Sequence, residues 1–371
     1  MNNSPLNLPL KVAVIGPGGV GGACIREILR EPSLELAGVL AFNVASSGRD
    51  AGELVGRPAA GVAVTTDLEE FLAIDVDCVL YTGAPPFDSF MEDVTVRLLE
   101  KGRNVISVTG FFFPPSQGET SLRRIEEACH RGQASLHGTG ENPGFMLERL
   151  AVTASAIANT IERVSVVEAV NTASLVGEAM KQFGFGQDPA TMYDGPYIKL
   201  LEKYLFVEAI EQTGVQLFGA RPDRIEANSV YEAAKEPIEL EIMTIEPGQV
   251  SVITHHYEGY YGDDAKISVC SIAYLRKEDE PFEGIVASDQ WRIEVEGKPA
   301  SIRLDVTAFA SVERNLEVLE DDATMPCYYM TASILTQAIP VVCAAPPGIV
   351  YPKFFSHGGT LEKFRRTGRV E

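Results

Sequence analysis

The apolar run Lys11-Val12-Ala13-Val14-Ile15 ends in seven residues, Gly16 to Gly22, of which five are glycine. Ala23-Cys24-Ile25-Arg26-Glu27-Ile28-Leu29 follows at once, with apolar side chains at helical spacing. Few folds accept a strand, a glycine turn and a helix in that order without a linker. The spacing Gly16-x-Gly18-x-x-Gly21 gives each glycine a task. The first permits the tight turn, the second lets the backbone approach a pyrophosphate, and the third lets helix and strand pack closely. The free N–H groups of the helix start supply donors to phosphate oxygens. The pattern implies a dinucleotide held by Gly16, Gly18, Gly19, Val20 and Gly21.

The chain continues in the same alternation. The strand-like segments LELAGVLAF, VDCVLYTG, NVISVTG and QASLHGTG are separated by the helical segments DLEEFLAI, SFMEDVTVRLLEKG and ETSLRRIEEACHRG. Strands interleaved with helices of about 10–15 residues predict βαβ units and a parallel sheet. The expected fold is α/β, with a doubly wound Rossmann domain over residues 1–150. The pattern then changes. GFMLERLAVTASAIANT reads as a helix, ERVSVVEAV as a strand and DPATMYDGPYIKLLEKYLFVEAIEQTG as a long helical region. Strands dominate from residue 225, with hairpins expected at Pro247-Gly248 and at Gly297-Lys298-Pro299. Ile238, Leu240 and Ile242 alternate with Glu239 and Glu241, which predicts one buried and one wet face. Residues 151–330 are therefore expected to form an α+β substrate and dimerisation domain on an antiparallel sheet. Residues 331–371 are expected to form a C-terminal helix and tail packing back on the Rossmann domain.

A formal charge of −21 argues against a nucleic-acid or anionic-membrane surface, since either needs a clustered positive field. The six cysteines stand far apart without a C-x-x-C pair, so no metal is expected. The N-terminus has no basic region before an apolar core, and no apolar run approaches the ~18 residues that span a bilayer. The expected location is the cytoplasm.

Strand ends carry the remaining signals. An NAD site often places an acid about 20 residues after the glycines, on the ribose 2′-OH. Here that place reads Phe42-Asn43-Val44-Ala45-Ser46-Ser47-Gly48-Arg49. Asn43, Ser46, Ser47 and Arg49 form a set that accepts a 2′-phosphate, so NADP(H) is favoured over NAD(H). Arg49 has the alternative of pairing with Asp50 or Glu53. Thr82, Gly83, Ala84 and Pro85 end another strand, where the backbone of an open α/β sheet approaches its ligand. GTGENPGF ends the last strand and adds Gly140 and Asn142 to the cofactor set, with Phe145 toward the substrate. TGFFFPP follows NVISV, and alternation along an extended segment puts Phe111 and Phe113 on one face as pocket candidates.

The pieces VIGPGGVGGACIREIL, GRDAGELVG, NVISVTGFFFP, GTGENPGF, FGFGQDP and TQAIPVVCAAPPGI run through nearly the whole chain. In them the chain resembles the dihydrodipicolinate-reductase-like oxidoreductases of the 2,4-diaminopentanoate dehydrogenase type, which include NAD(P)H-dependent amine dehydrogenases. The resemblance implies a Rossmann lobe, an α+β catalytic lobe, a homodimer, and hydride transfer between NAD(P)H and a carbonyl-derived imine. Amine dehydrogenases of this type keep a glutamate in the segment equivalent to Val108–Pro114, where this chain has only Thr109 and Gly110 before three phenylalanines. Dihydrodipicolinate reductase keeps a His-His-x-x-Lys segment where this chain reads VVEAVNTAS, residues 166–174. His255-His256 lie far downstream and read as exposed or interfacial strand residues, with the alternative that one of the pair faces the cleft.

Proton chemistry then falls to Glu141, Glu168, Asn171 or Thr109, since a glutamate buried among apolar groups has a raised pKa and acts as an acid near neutrality. Glu141 has the alternative of capping the following helix, and Glu168 that of facing water. The expected activity is an NAD(P)H-dependent oxidoreductase acting on a small, largely apolar carbonyl or imine. The alternatives are a non-catalytic NADP(H)-binding sensor and a carbohydrate-type oxidoreductase of similar two-lobe architecture.

Overall fold

The computed structural model describes residues 6–83, 89–173, 180, 183–194, 204–263, 265–282, 289–308 and 326–353. It divides into two compact units, one from the described residues of Met1–Glu141 and Glu313–Pro352, the other from those of Asn142–Val312 and Lys353–Glu371.

The first unit begins with β1 (Leu10–Ile15), α1 (Gly19–Arg30), β2 (Leu34–Leu40), β3 (Val64–Thr65) and α2 (Leu68–Ala73). It continues through β4 (Cys78–Tyr81), α3 (Ser89–Glu100), β5 (Asn104–Ser107), α4 (Glu119–Gly132) and β6 (Ser135–Gly138). Because β1, β4, β5 and β6 are central, nearly all their residues are buried on both faces, and β1 and β4 read as almost continuous apolar runs. Every pairing in the sheet is parallel. A late segment, β15 (Gly348–Ile349), completes the order β15-β6-β5-β4-β1-β2-β3, the doubly wound arrangement with one strand added. That strand is absent from the sequence reading, because a two-residue pairing has no period to detect. His137 Nδ1 and the Val350 carbonyl, 2.8 Å apart, hold it to β6.

The second unit opens with α5 (Glu141–Ala151), whose first residue still belongs to the first unit. It has π-type bonding and a non-helical Asn142. The unit then runs through β7 (Thr160–Asn171), α6 (Phe206–Phe218), β8 (Arg224–Ala233), β9 (Ile238–Glu239), β10 (Thr244–Ile245), β11 (Val250–Tyr261), β12 (Ala265–Tyr274), β13 (Asp289–Lys298) and β14 (Ile302–Thr307). The main sheet has the order β14-β13-β7-β12-β11-β8. It is mixed rather than purely antiparallel, because β7 and β12 pair in parallel.

The expected hairpin at Pro247-Gly248 is not formed. Residues 238–245 make only the β9–β10 ribbon, and Ile242 is 45% exposed, so the expected alternation stops there. The edge of β11 is taken instead by β8, whose ten residues offer a far longer ladder. The β13–β14 hairpin forms where expected.

After these strands the chain returns to the first unit as α7 (Pro326–Cys343). Tyr329, Ala332, Leu335, Ile339 and Val342 recur at helical spacing on its buried face and join the core of α1, β1 and β2. Burial of each of the larger aliphatic chains stabilises this docking by roughly 1.5–3 kcal/mol. No helix among the described residues is long and apolar enough to cross a membrane.

Gly138, the last residue of β6, touches the backbone of Phe111 and Phe112 so closely that a β-carbon there has no space. Gly138→Ala is expected to cost about 1–3 kcal/mol or more, since backbone cannot rotate aside. An unchanged thermal midpoint would show that the turn yields.

Candidate active site

The glycine turn is held by contacts that exclude side chains. Gly16 has φ +85° and lies against Gly83, while Gly21 lies against the Gly16 carbonyl and Thr82. Thr82 Oγ1 donates within 2.9 Å of both the Ile15 and Gly16 carbonyls, which places Thr82 and Gly83 in the turn's own framework. Val20 is half-buried and packs on the core. By contrast, a β-carbon at Gly18 or Gly140 would meet nothing within 4 Å. Gly18 caps α1, whose first turn carries no acid, so its N–H groups present an uncompensated positive end. These residues fit a dinucleotide pyrophosphate at Gly18, with Gly16 and Gly21 making the approach possible.

Beyond β2, Asn43 Oδ1 accepts from the Ala45 N–H, and Ser47 and Arg49 are exposed. The Asp50 carboxylate accepts from the Gly52, Glu53, Ala60 and Gly61 N–H groups, which hold its pKa below the ordinary value. It is thereby committed to the loop, and among the described residues no ion pair joins it to Arg49. Ala84 and Pro85 lie outside the described residues.

The phenylalanine triplet departs from its expected geometry. Gly110 has φ +153° and Phe111 φ +64°, so the backbone turns and the alternation is lost. Phe111, Phe112 and Phe113 are all buried, and the Phe113 ring packs 5.9 Å from that of Tyr351. Thr109 Oγ1 lies 3.4 Å from both Met91 Sδ and Ser107 Oγ. Glu141 is buried in the first turn of α5, where an acid suits the helix N-terminus, and Phe145 is half-buried in the same helix.

The second sheet places a polar row on one mostly apolar face. Strand register aligns Ser229, His255, Ser271, Glu168 and Trp291 across β8, β11, β12, β7 and β13. The next row is Ala227, Tyr257, Val269, Val166 and Ile293, mostly buried and apolar. Glu168 accepts from Ser271 Oγ at 2.7 Å and from Trp291 Nε1 at 3.1 Å. Burial raises its pKa above the ordinary value, and the hydrogen bonds from Ser271 and Trp291 oppose the rise. Glu168 therefore does not simply face water. Asn142, expected at the cofactor, stands beside this acid.

Of the histidine pair, His255 is buried rather than exposed. It is 4% exposed, its Nδ1 lies 2.8 Å from Ser229 Oγ, and its ring meets that of Tyr231 edge-on. Burial pulls its pKa down to about 4, so the imidazole is neutral near neutrality. His256 points to the other, half-exposed face with Glu258. Asn171 is also not brought to Glu168. Three residues along a strand reverse the side, and its Oδ1 accepts from the Ala173 N–H. Ser229, Ser271 and Trp291 had no signal in the sequence beyond alternate positions in separate strands.

Residues 10–134 match the family model of the dihydrodipicolinate reductase N-terminus. That stretch contains the strand–helix alternation of the first unit from β1 to α4. An amine dehydrogenase of Streptomyces virginiae is 31% identical over 162 residues, 41% of this chain and 44% of that protein's length. Among solved structures, an amine dehydrogenase from Mycobacterium smegmatis shares the fold at TM-score 0.72, with 19% identity over 96% of this chain and 99% of that one. GenD2 of gentamicin A biosynthesis, in complex with NAD, shares it at 0.52 with 18% identity, over 91% of this chain and 88% of that one. The family resemblance seen in the motifs is thus matched, and the two-domain dehydrogenase fold with it.

Ser271→Ala removes a hydrogen bond that stabilises the charged carboxylate. Glu168 is then expected to ionise at higher pH, measured as an infrared carboxyl difference against Glu168→Gln. An unmoved titration would mean that Ser271 does not tune it.

Proposed function

We propose that this protein is an NAD(P)H-dependent oxidoreductase that reduces a small, largely apolar carbonyl or imine, or oxidises the corresponding CH–NH2 or CH–NH group in reverse. The observation that carries the proposal is the half-buried, hydrogen-bonded Glu168 in a polar row on an apolar sheet face, in a chain whose first unit has an open dinucleotide turn. When bound, the nicotinamide supplies hydride to the substrate carbon. Glu168, held toward its protonated form by burial, gives a proton to the nitrogen or oxygen, while Ser271 and Trp291 fix the carboxyl. This role compensates for the missing carboxylate at Val108–Pro114, because Glu168, once it has given its proton to the nitrogen, is left as the counter-charge of the iminium or ammonium so formed. The neighbouring apolar row favours a substrate with one polar group.

Gly16, Gly18 and Gly21 would receive the pyrophosphate, and Ser46, Ser47 and Arg49 the adenosine end. No carboxylate is present between Phe42 and Arg49 to repel a 2′-phosphate, which supports NADP(H) over NAD(H). The half-exposed face of the second sheet, bearing His256, Glu258 and Lys266, is the surface proposed for homodimer formation. Sedimentation that finds only monomer would remove that part.

Nicotinamide absorbance followed with a panel of small ketones and aldehydes, with and without ammonia, tests the activity. Turnover requiring ammonia supports imine reduction, and turnover without it supports carbonyl reduction. Tight cofactor binding with no turnover would contradict the enzyme and favour a sensor. Arg49→Ala is expected to weaken NADPH about 10- to 100-fold, the value of charged hydrogen bonds, and to leave NADH nearly unchanged. Equal losses would contradict the 2′-phosphate assignment.

A further inference from the structure

Gly18 and Gly19 are adjacent but meet different surroundings. A β-carbon at Gly18 would face open space, whereas one at Gly19 would lie within 2.8 Å of three ring carbons of Tyr328. The dinucleotide fingerprint requires glycine at positions 16, 18 and 21 and leaves position 19 free. The glycine at 19 is therefore explained by a side chain from the far end of the chain. Tyr328 lies in the first turn of α7, and the adjacent Tyr329 is buried in the core that α7 shares with α1. With its neighbour anchored there, the Tyr328 backbone is fixed and its ring is held against the start of α1. Gly19 is the first residue of that helix, where unpaired N–H groups are exposed for an anion.

We propose that Tyr328 is a positioning residue for the dinucleotide pyrophosphate. Its ring packs on the first turn of α1 at Gly19 while Gly18 stays open, and so holds the N–H groups in a fixed direction. This inference rests on the dinucleotide assignment in the proposed function. It makes the docking of α7 a condition of cofactor affinity, although no α7 residue belongs to the glycine fingerprint.

The test uses the full-length protein as wild type, Gly19→Ala, Tyr328→Ala, the double variant and Tyr328→Phe. Two quantities are measured: thermal unfolding without cofactor, and the Kd for ADP-ribose and for adenosine 2′-monophosphate well below the unfolding transition. Gly19→Ala is expected to unfold at lower temperature through its clash with the ring. Adding Tyr328→Ala should make the losses non-additive, as for two residues in contact. Tyr328→Ala should weaken ADP-ribose, which carries the pyrophosphate, by about tenfold, roughly the value of one hydrogen bond to a charged group. Adenosine 2′-monophosphate should bind nearly as before, and Tyr328→Phe should match wild type. Additive losses, or equal weakening of both probes, would overturn the positioning role, since a merely structural ring would affect them alike. Wild-type protein that binds neither probe nor NADPH would overturn the proposed function and this role together, with the steric coupling still legible in unfolding.

Discussion

No side chain fits where β1, β4 and α1 meet. The backbones of Gly16 and Gly83 touch, and Gly21 rests on the Gly16 carbonyl, with Thr82 bonding across both. This contact draws the start of α1 onto the ends of the central strands and leaves its N–H groups unspent. The remaining arrangement of the first unit follows. The strands are central and apolar, Phe42 is folded over Gly83, and α7 packs along α1 with Tyr328 against Gly19. A methyl group at Gly16 or Gly21 would meet backbone first and so change backbone geometry rather than a rotamer.

The second unit is organised by a different constraint. A polar atom buried without a partner costs about 1–3 kcal/mol, so a polar row inside an apolar face persists only when its members bond one another. Ser229 meets His255, and Ser271 and Trp291 meet Glu168. Burial acts on the two titratable members in opposite directions, raising the acid and lowering the imidazole, and so favours the uncharged form of both. Under the proposed function, such a surface suits a neutral carbonyl or imine better than a highly charged substrate. It also places the protonatable group two strands away from a neutral histidine whose Nε2 is buried without a hydrogen-bond partner among the described residues.

Local periodic features were legible from the residues. The glycine spacing and the strand–helix alternation identify the first lobe, because each depends only on neighbours in sequence. Glu168 was visible as an acid on an apolar strand. Its separation from Asn171 also follows from the two-residue period, although both were grouped as candidates. Features that depend on distant pairing were not legible. The polar row exists only once four pairings are in register, so His255 looked exposed and Ser271 and Trp291 carried no signal. Two-residue β15 has no pattern of its own. The turn at Phe111 breaks the expected alternation because a phenylalanine with positive φ is a state that local preference disfavours and tertiary contact with Gly138 imposes.

The central claim is that Glu168 delivers the proton that accompanies hydride transfer. The pH profile of NADPH oxidation in the reductive direction, compared between wild type and Glu168→Gln, tests it most directly. Because burial raises this pKa, the wild-type rate should hold above the ordinary carboxyl range and then fall as pH rises through the shifted value. The variant should lose about 10²–10⁴ in rate and that limb of the profile, with cofactor affinity preserved. A variant that keeps both the rate and the limb would contradict the account.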